Sequence, residues 1–318
     1  MSKLLLTLAL LGLSTLAVAG DTEITGFGDA SYYYNANAEA GEFGLDQVEI
    51  DIVHQASRKT SVRADIEWVK DGDDFTCQIE QAFMTYTRDC GTTFMFGQFN
   101  APIGFEAIDA PDMYQFSHSL VFEYGAPTNL TGLALSRNLG ERFDAIVYGC
   151  NGWDQNTEDN KNLTFGGRLG YEAPCGAAAG ISAISGKESD FTRTVFDVDL
   201  GYETGAWTFG GEFNMGTVTL ADDTEQEWTG FLVMGHYDVN DWLGFTGRFD
   251  TFDDADGYAF GAAEKRSSIT FAPTFVLDDG FGALVEFRLD MSDEEVFTDS
   301  DGATDSEFAV AFEMTYSW

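Results

Sequence analysis

The chain ends on a stretch in which apolar and polar residues alternate, SEFAVAFEMTYSW at residues 306–318. From Phe308 to Trp318 every second residue is apolar, and the residues between them are small or polar. Successive side chains of a β-strand point to opposite faces of the sheet, so this alternation predicts a strand with one apolar and one polar face. Such a strand suits a sheet that separates an apolar medium from a polar one.

The same alternation recurs upstream in the sequence. In FDVDLGYE, residues 196–203, Asp197 and Asp199 share one face, whereas Phe196 and Leu200 lie on the other. A charged side chain on the lipid face near the bilayer midplane costs about 2–4 kcal/mol. If these strands cross a membrane, their charged faces therefore point into the lumen of a barrel.

Sixteen segments with this pattern are predicted as strands. They are residues 22–34, 43–56, 59–70, 75–87, 92–99, 129–137, 142–150, 162–173, 177–186, 193–204, 206–219, 226–239, 242–252, 266–277, 281–291 and 306–318. The connections after even-numbered segments are short, and those after odd-numbered segments are longer and acidic, as periplasmic turns and extracellular loops are. The sequence therefore predicts an all-β protein, a transmembrane antiparallel up-and-down β-barrel of about 16 strands.

Residues 1–19 form a separate unit. One basic residue, Lys3, precedes an apolar run that ends on Ala17-Val18-Ala19. This pattern is typical of a secretory signal peptide that is cleaved after Ala19. The run is shorter than the roughly 20 residues of a membrane-spanning helix. We therefore expect residues 20–318 to form the barrel, located in the outer membrane.

The composition favours a membrane barrel over a soluble β protein. Aromatic residues make up 14% of the chain, with 28 Phe, and Pro occurs only 5 times. A barrel places many rings on its lipid-facing surface and at both interfaces. The mean hydropathy of −0.14 does not separate the two classes, because alternating faces average out. The net charge of −38 repels the phosphates of nucleic acids, so no nucleic acid partner is expected. The expected partner is the lipid bilayer.

The longest irregular stretch is residues 100–129, after the fifth predicted strand. It is rich in Phe, Ile and Tyr, so we expect it to be packed rather than disordered. Folded into the lumen, it would form a constriction whose carboxylates face barrel arginines. Folded outward, it would form a lid or cover a neighbouring subunit, and the sequence leaves both orientations open. The candidate constriction residues are Glu106, Asp109, Asp112 and Glu123.

Two segments resemble a known family. GQFNAPIGFE at residues 97–106, followed by Asp109 and by SHS at residues 117–119, is similar to the signature segment of the OmpL-like β-barrel porins, and NGWD at residues 151–154 supports the resemblance. The aromatic last residue, Trp318, resembles the assembly signal of outer-membrane barrels, in which Phe is usual. The resemblance implies a homotrimeric outer-membrane channel for small hydrophilic solutes, narrowed by the loop after the fifth strand.

Projecting the alternation onto a barrel gives lumen-facing candidates in which acids outnumber bases. The acidic candidates are Glu49, Asp51, Asp65, Glu67, Glu80, Asp197, Asp199, Glu212, Asp250, Glu286 and Glu313. The basic candidates are Arg63, Arg168, Arg248 and Arg288. Low-dielectric walls focus the field of such a lining, so cations should be enriched and anions repelled, more weakly as salt rises. The alternative is a cross-strand ion-pair network that only keeps the wall rigid.

Two acidic segments contain fragments of a calcium-binding loop. They are residues 253–257 and residues 299–305, the latter with Asp299, Asp301 and Asp305 near a Gly turn. Neither continues into the twelve-residue pattern with a terminal Glu, so solvated acidic loops are the preferred interpretation. The four cysteines lack metal-binding spacing and are interpreted as isolated thiols or as two loop disulfides.

A catalytic role would require a base beside a nucleophile. The sequence offers His118 next to Ser119, for which a simple loop hydrogen bond is the preferred interpretation. No enzyme activity and no cofactor are predicted. The rival to a diffusion channel is a structural or binding role, either as a sheath around an electron-carrying cytochrome or as a surface-layer anchor bridged by cations.

Overall fold

Sixteen antiparallel strands form one closed barrel in the computed structural model, which describes residues 20–72 and 74–318. The predicted signal peptide, residues 1–19, lies outside the described residues. The barrel strands are β1 (Asp21–Asn35), β2 (Ala40–Ser57), β3 (Thr60–Asp71), β4 (Asp74–Thr87), β5 (Thr92–Asn100), β6 (Asn129–Asn138), β7 (Phe143–Cys150), β8 (Thr164–Glu172), β9 (Ala177–Glu188), β10 (Phe191–Thr204), β11 (Trp207–Thr219), β12 (Glu225–Asn240), β13 (Leu243–Asp254), β14 (Glu264–Asp278), β15 (Phe281–Ser292) and β18 (Ser306–Ser317). The predicted barrel is confirmed, and each predicted segment overlaps one of these strands.

A small hairpin, which we call the outer hairpin, was not predicted. Strands β16 (Phe297–Asp299) and β17 (Gly302–Thr304) pair with each other in the connection between β15 and β18. They form a sheet of their own, outside the barrel. Each strand is too short to show a period of two in the sequence, which explains why the pattern did not reveal it.

The barrel closes between its first and last strands. β1 pairs antiparallel with β18 over residues 27–35, and the amide of Trp318 donates a hydrogen bond of 3.0 Å to the carbonyl of Gly26. Closure satisfies the backbone groups of both edge strands, which lipid could not do. The aromatic residue at the end of β18 therefore lies at the seam of the barrel.

The connections follow the predicted asymmetry only in part. The even-numbered strands from β2 to β14 are followed by short turns, and the longest connection is the long loop, residues 101–128, between β5 and β6. Three connections after odd-numbered strands are short as well: residues 36–39 after β1, residues 72–73 after β3 and residues 189–190 after β9. The longer connections predicted at these three places are absent, because the paired strands continue beyond their predicted ends.

The outward face of the strands is apolar, as the alternation predicts. On β12, Phe231 and Val233 are 43% and 46% exposed, whereas Leu232 and Met234 between them are 0% and 2% exposed. The inward face is less uniform than expected, since these last two side chains are apolar as well. They are buried by the long loop, so part of the lumen is a packed apolar core rather than an aqueous space.

A belt of exposed rings surrounds the end of the barrel that carries the short turns. Trp207 follows one of these turns, Trp242 lies in another, and Trp318 closes the seam beside Tyr316. All four rings are exposed. Rings with one polar edge are typical of the interface between lipid chains and water, which assigns this end of the barrel to a membrane interface.

The long loop carries the helical segments of the described chain, a 3-10 helix at Ala110–Asp112 and the helix α1 at Leu120–Gly125. Ser119 caps α1, because its hydroxyl accepts a hydrogen bond of 3.1 Å from the amide of Phe122. In residues 20–72 and 74–318, no helix has the length and apolarity needed to cross a membrane.

Candidate functional site

The long loop folds into the lumen and reaches the far wall of the barrel. The amide of Phe105 donates to Glu212 on β11 (2.7 Å), and the amide of Ser117 donates to Glu286 on β15 (3.0 Å). A backbone amide gives a buried carboxylate a hydrogen bond without adding a second charged side chain. Of the two orientations that the sequence left open, the structure has the inward one.

Apolar contacts fix the loop against β11 and β12. Val121 of α1 is completely buried and packs against Leu232 and Met234. Gly210 on β11 leaves the space that the ring of Phe105 occupies, since a Cβ at this glycine would overlap the ring. The loop therefore fits a wall shaped to receive it, and its position does not depend on polar contacts alone.

Arg248 on β13 joins the loop to the barrel. Its guanidinium donates to Glu106 of the loop (2.8 Å), to Asp250 on its own strand (2.9 Å) and to the carbonyl of Ser117 (2.6 Å). A further hydrogen bond of 3.1 Å reaches the carbonyl of His118. Because both the arginine and its acidic partners are buried, moving the loop away would leave a buried charge without its partner, and this cost favours the inward orientation.

The loop carboxylate in this network has an altered pKa. Burial alone would raise the pKa of Glu106, but the charges of Arg248 and His118 and the hydrogen bond from the amide of Ser119 (2.9 Å) outweigh burial. The pKa of Glu106 is therefore lowered below its usual value. The carboxylate stays ionised, which keeps the bond to Arg248 charge-assisted.

The remaining inward arginines are also paired. Arg63 on β3 lies 2.7 Å from Asp65 and 3.5 Å from Asp51, and Arg168 on β8 forms an ion pair with Asp199 on β10. Each of these pairs lies inside the barrel and is buried or half-buried. Pairs of this kind are what the alternative of an ion-pair network predicts.

Arg288 on β15 repeats the arrangement of Arg248 two strands away. It pairs with Asp290 on its own strand (2.8 Å) and donates to the carbonyl of His118 in the loop (2.7 Å). The predicted barrel arginines thus fall into two groups. Two of them hold the loop, and the other two, Arg63 and Arg168, form their ion pairs with wall carboxylates.

The structure places all eleven predicted wall acids inside the barrel. Ten are buried, and Asp51 is half-buried. Asp51, Asp65, Asp199 and Asp250 are paired with the arginines described above. Six others form no ion pair with a base in the described part of the chain, namely Glu49, Glu67, Glu80, Asp197, Glu212 and Glu286. Glu313 on β18 is buried on the same inner face.

The other predicted constriction residues differ from Glu106. Asp109 does not pair with a barrel arginine: burial, then the charges of Glu80 and Asp112, raise the pKa of Asp109 well above its usual value. Asp112 lies in the 3-10 helix beside it. Glu123 is exposed on α1 and belongs to no ion pair of the described residues, because α1 turns this side chain away from the wall.

The predicted calcium-loop fragments use their carboxylates within their own turns. Asp299 accepts hydrogen bonds from the amides of Asp301 (2.8 Å) and Gly302 (3.1 Å). The carboxylate of Asp254 accepts three backbone amides of the loop that follows it. Neither Asp299 nor Asp305 belongs to a group of converging acidic side chains in the residues described.

The conceivable catalytic pair is not formed. The Nε2 atom of His118 lies 3.0 Å from the carbonyl oxygen of Ala107, and its ring stacks on Phe122 with centroids 3.8 Å apart. The hydroxyl of Ser119 caps α1 and does not contact the imidazole. Both side chains therefore stabilise the loop, which is the interpretation that the sequence favoured.

All four cysteines are free thiols. Cys77, Cys90 and Cys175 are exposed, and Cys150 is buried. The interpretation as isolated thiols therefore holds, and the alternative of two loop disulfides is wrong for this structure.

A cavity of about 380 Å³ lies between the long loop and the wall formed mainly by β7 to β10. Asp144, Arg168 and Asp199 contribute its polar wall, whereas Ile108 and Met113 contribute apolar surface from the loop. Asp144 was not predicted as a lumen residue, because the residues that share its face of β7, Ile146 and Tyr148, are apolar. The apolar side of the cavity was also missed, because only charged residues were projected inward.

Neutral amide side chains also line the inner face of the barrel, and they were not predicted from the pattern of charged residues. Gln81 on β4 donates to Asp65 (2.6 Å), and Asn214 on β11 accepts from the indole of Trp228 (3.0 Å). A bulge between β3 and β4 turns both Gln81 and the preceding Glu80 inward. Strict alternation places only one of two consecutive residues inside, so no sequence pattern indicated Gln81.

Solved structures with this architecture include several outer-membrane proteins. The outer membrane channel DcaP of Acinetobacter baumannii matches with a TM-score of 0.73 and 14% identity, over 95% of this chain and 100% of the other. An anion-selective porin from Comamonas acidovorans matches with a TM-score of 0.74 and 11% identity, over 94% of this chain and 100% of the other. The trimer form of OmpT from Vibrio cholerae matches with a TM-score of 0.68 and 12% identity, over 94% of this chain and 100% of the other. At these identities the similarity shows the fold.

The family follows from the sequence of the whole barrel. No curated protein matches the chain. The family model described as "Putative beta-barrel porin-2, OmpL-like" matches residues 22–318, from the beginning of β1 to the aromatic residue after β18. The match covers the long loop, the paired arginines and the acidic lumen together. The chain therefore belongs to the OmpL-like family of outer-membrane β-barrel porins.

Proposed function

We propose that the protein is a passive diffusion channel for small hydrophilic solutes and that it prefers cations. The observation that carries the proposal is the charge balance of the lumen. Each of the four predicted lumen arginines is paired with a carboxylate, as are Arg193 and Arg266. Six more buried carboxylates have no basic partner in the described residues. The lumen therefore has an excess of negative charge.

The surroundings strengthen the effect of this charge. The barrel wall and the lipid around it have a low dielectric constant, so the field of the unpaired carboxylates is focused along the lumen. Cations are then enriched and anions repelled near the constriction. Mobile ions screen the field, with a Debye length that falls from about 10 Å at 0.1 M salt to about 3 Å at 1 M. The preference should weaken accordingly.

The long loop supports a limit on solute size. It lies across the lumen and is held by Arg248 and Arg288 on one side and by packed apolar residues on the other. The cavity of about 380 Å³ beside it has the volume of a small-molecule site. We propose that solutes pass between the loop and the wall of β7 to β10.

The alternatives receive less support from the same observations. A rigid ion-pair network accounts for the four arginines but leaves six carboxylates without a base. A sheath for a cytochrome needs an empty lumen, and the long loop occupies much of it. A cation-bridged surface anchor needs free loop carboxylates, whereas Asp299 and Asp254 bind their own backbone amides. We propose neither a catalytic role nor a cofactor.

Two further expectations are part of the proposal. The first is assembly as a homotrimer, which the trimer form of the similar OmpT structure supports. Chemical crosslinking of the purified barrel should then give a trimer as the largest product. The second is export by the signal peptide of residues 1–19. N-terminal sequencing of the mature protein should then begin at Gly20.

The test is single-channel recording in a planar bilayer under a KCl gradient, with a chelator present. We expect stable open steps and a reversal potential of cation-selective sign that decreases as salt rises from about 0.1 M to about 1 M. Asp197→Asn should shift the reversal potential towards zero, whereas Asp299→Asn in the outer hairpin should not. A folded barrel without open steps would contradict the diffusion role, and an anion-selective potential would contradict the charge argument.

A further inference from the structure

Three buried carboxylates converge on the inner wall of β2, β3 and β4. Glu49, Glu67 and Glu80 are 1%, 7% and 4% exposed, and one carboxylate oxygen of each lies within 4.8 Å of the other two. Glu49 and Glu67 are directly opposite each other in the β2–β3 register. Glu80 joins them from β4 at the bulge that turns it inward. We call these three residues the acidic triad.

In the described part of the chain, no basic side chain is paired with the acidic triad. Arg63 is the arginine of this wall, and it is paired with Asp65 and Asp51. The hydrogen-bond donors that do reach the triad are neutral amides. Gln47 and Gln78 donate to Glu67 at 2.6 and 2.7 Å. Amides satisfy individual oxygens but do not compensate three like charges in a buried site.

One oxygen of the acidic triad is left without any donor. Oε1 of Glu80 accepts a hydrogen bond of 2.7 Å from Asn100, but the buried Oε2 of Glu80 has no hydrogen-bond partner among the described residues. Oδ1 of Asp109, which lies in the long loop, is buried without a partner as well. An unsatisfied buried carboxylate oxygen is costly, and a bound water or cation is one way to satisfy it.

The long loop brings negative charge to the same place. Asp109 of the loop lies close enough to Glu80 of the wall for the charges of the two carboxylates to interact. A cation at the triad would therefore contact the wall and attract the loop. The neighbouring group of Glu49, Asp51 and Asp65 is a poorer candidate, because Arg63 already occupies two of its members.

The spacing of the oxygens indicates the kind of cation. Calcium binds oxygens at about 2.3–2.6 Å, so two of its ligands can be as far apart as about 5 Å. Magnesium binds at about 2.0–2.1 Å, which limits this separation to about 4.2 Å. The oxygens of the triad lie within 4.8 Å of one another, a limit that calcium can span and magnesium cannot.

We propose that Glu49, Glu67 and Glu80 bind one calcium ion inside the barrel, with Asp109 of the long loop facing it. Bound calcium neutralises part of the acidic wall and links the loop to β2, β3 and β4, opposite the side held by Arg248. The barrel then has a divalent-cation site at the base of its loop. This site does not require the protein to conduct, so it stands apart from the diffusion role.

The test measures calcium binding to the purified, chelator-treated barrel in detergent, by calorimetry or by competition with terbium. We expect one site per chain. Glu80→Gln and Glu67→Gln should each weaken the affinity at least about tenfold, because each removes one of three charged ligands. Glu264→Gln, a buried acid of β14 outside the triad, and Asp299→Asn, in the outer hairpin, are the matched controls and should retain the affinity.

The outcomes separate the proposal from its rivals. Absence of calcium binding by the unmodified barrel would overturn it and indicate that shared protons hold the triad. Binding lost in Asp299→Asn but retained in Glu80→Gln would also overturn it, since the ion would then lie in the outer loops. If a triad variant fails to fold, the calcium dependence of the thermal unfolding midpoint of the unmodified barrel tests the proposal instead. Calcium should raise its midpoint with increasing concentration, and an unchanged midpoint counts against the site.

Discussion

Arg248 on β13 and Glu106 in the long loop lie 2.8 Å apart, and their side chains are 0% and 4% exposed. This ion pair joins residues that are far apart in the chain. It holds the loop inward because a buried charge without its partner is costly. The position of the loop, and with it the size of the passage, therefore depends on this buried ion pair.

Glu106→Gln should release the loop. The amide keeps the shape of the side chain but removes its charge, while Arg248 keeps Asp250 as a partner. We expect a loss of about 2–3 kcal/mol in the free energy of unfolding, together with larger and noisier single-channel conductance. Glu123→Gln, on the exposed side of α1, is the control and should leave both quantities unchanged. Equal conductance of the two variants would show that this pair does not position the loop.

The pH dependence of the pair follows from the lowered pKa of Glu106. An acid whose pKa is depressed in the folded state contributes stability above its usual pKa, here 4.5, and loses it as the pH falls through the lower folded value. The difference in stability between the unmodified protein and Glu106→Gln should thus be constant from about pH 7 to pH 5 and shrink below about pH 4. Denaturant titrations at several pH values measure it. A difference that shrinks already near neutral pH would contradict the lowered pKa.

The barrel could be predicted from the sequence because its physics is local. In a strand such as β12, each residue faces either lipid or lumen, so Phe231 and Val233 reveal their side by their spacing alone. Connections such as residues 72–73 and 189–190 were predicted too long. Where a hairpin extends beyond the membrane, both of its faces contact water, so its side chains do not have to alternate between apolar and polar. Nothing local marks the point where such a strand ends.

The interior could be predicted only in part. Charged residues such as Arg248 and Asp250 were placed inward, because lipid excludes them. Their partners were not predictable, since Glu106 is distant in sequence and reaches Arg248 only through the fold of the loop. The apolar residues Leu232 and Met234 face inward against the simple rule. They do so because Val121 of the loop covers them, a contact that alternation cannot indicate.

Gly210→Ala should displace the loop through packing alone. A Cβ at this position would overlap the ring of Phe105, and overpacking of this kind typically costs about 1–3 kcal/mol. We expect lower stability in denaturant titrations and a changed conductance. Gly247→Ala on β13 is the matched control, since a Cβ there meets nothing within 4 Å. Equal effects of the two substitutions would mean that strand propensity, and not the contact with Phe105, is responsible.

Labelling of the free cysteines can test which end of the barrel faces the periplasm. Cys90 and Cys175 are exposed in two short turns, which in such barrels lie on the periplasmic side. A bulky maleimide that cannot cross the outer membrane should therefore not label them on intact cells, but it should label both after permeabilisation. Asp299→Cys, in the outer hairpin, should be labelled on intact cells and serves as the positive control.

The two turn cysteines should also differ in rate. Hydrogen bonding by Thr92 lowers the pKa of the Cys90 thiol, so more of it is thiolate at neutral pH, and the thiolate is the reactive species. Cys90 should therefore react faster than Cys175 in the purified barrel, and Thr92→Val should remove the difference. The buried Cys150 should react only on unfolding. Labelling of Cys90 on intact cells would reverse the orientation and place the outer hairpin, with its acidic residues, on the periplasmic side.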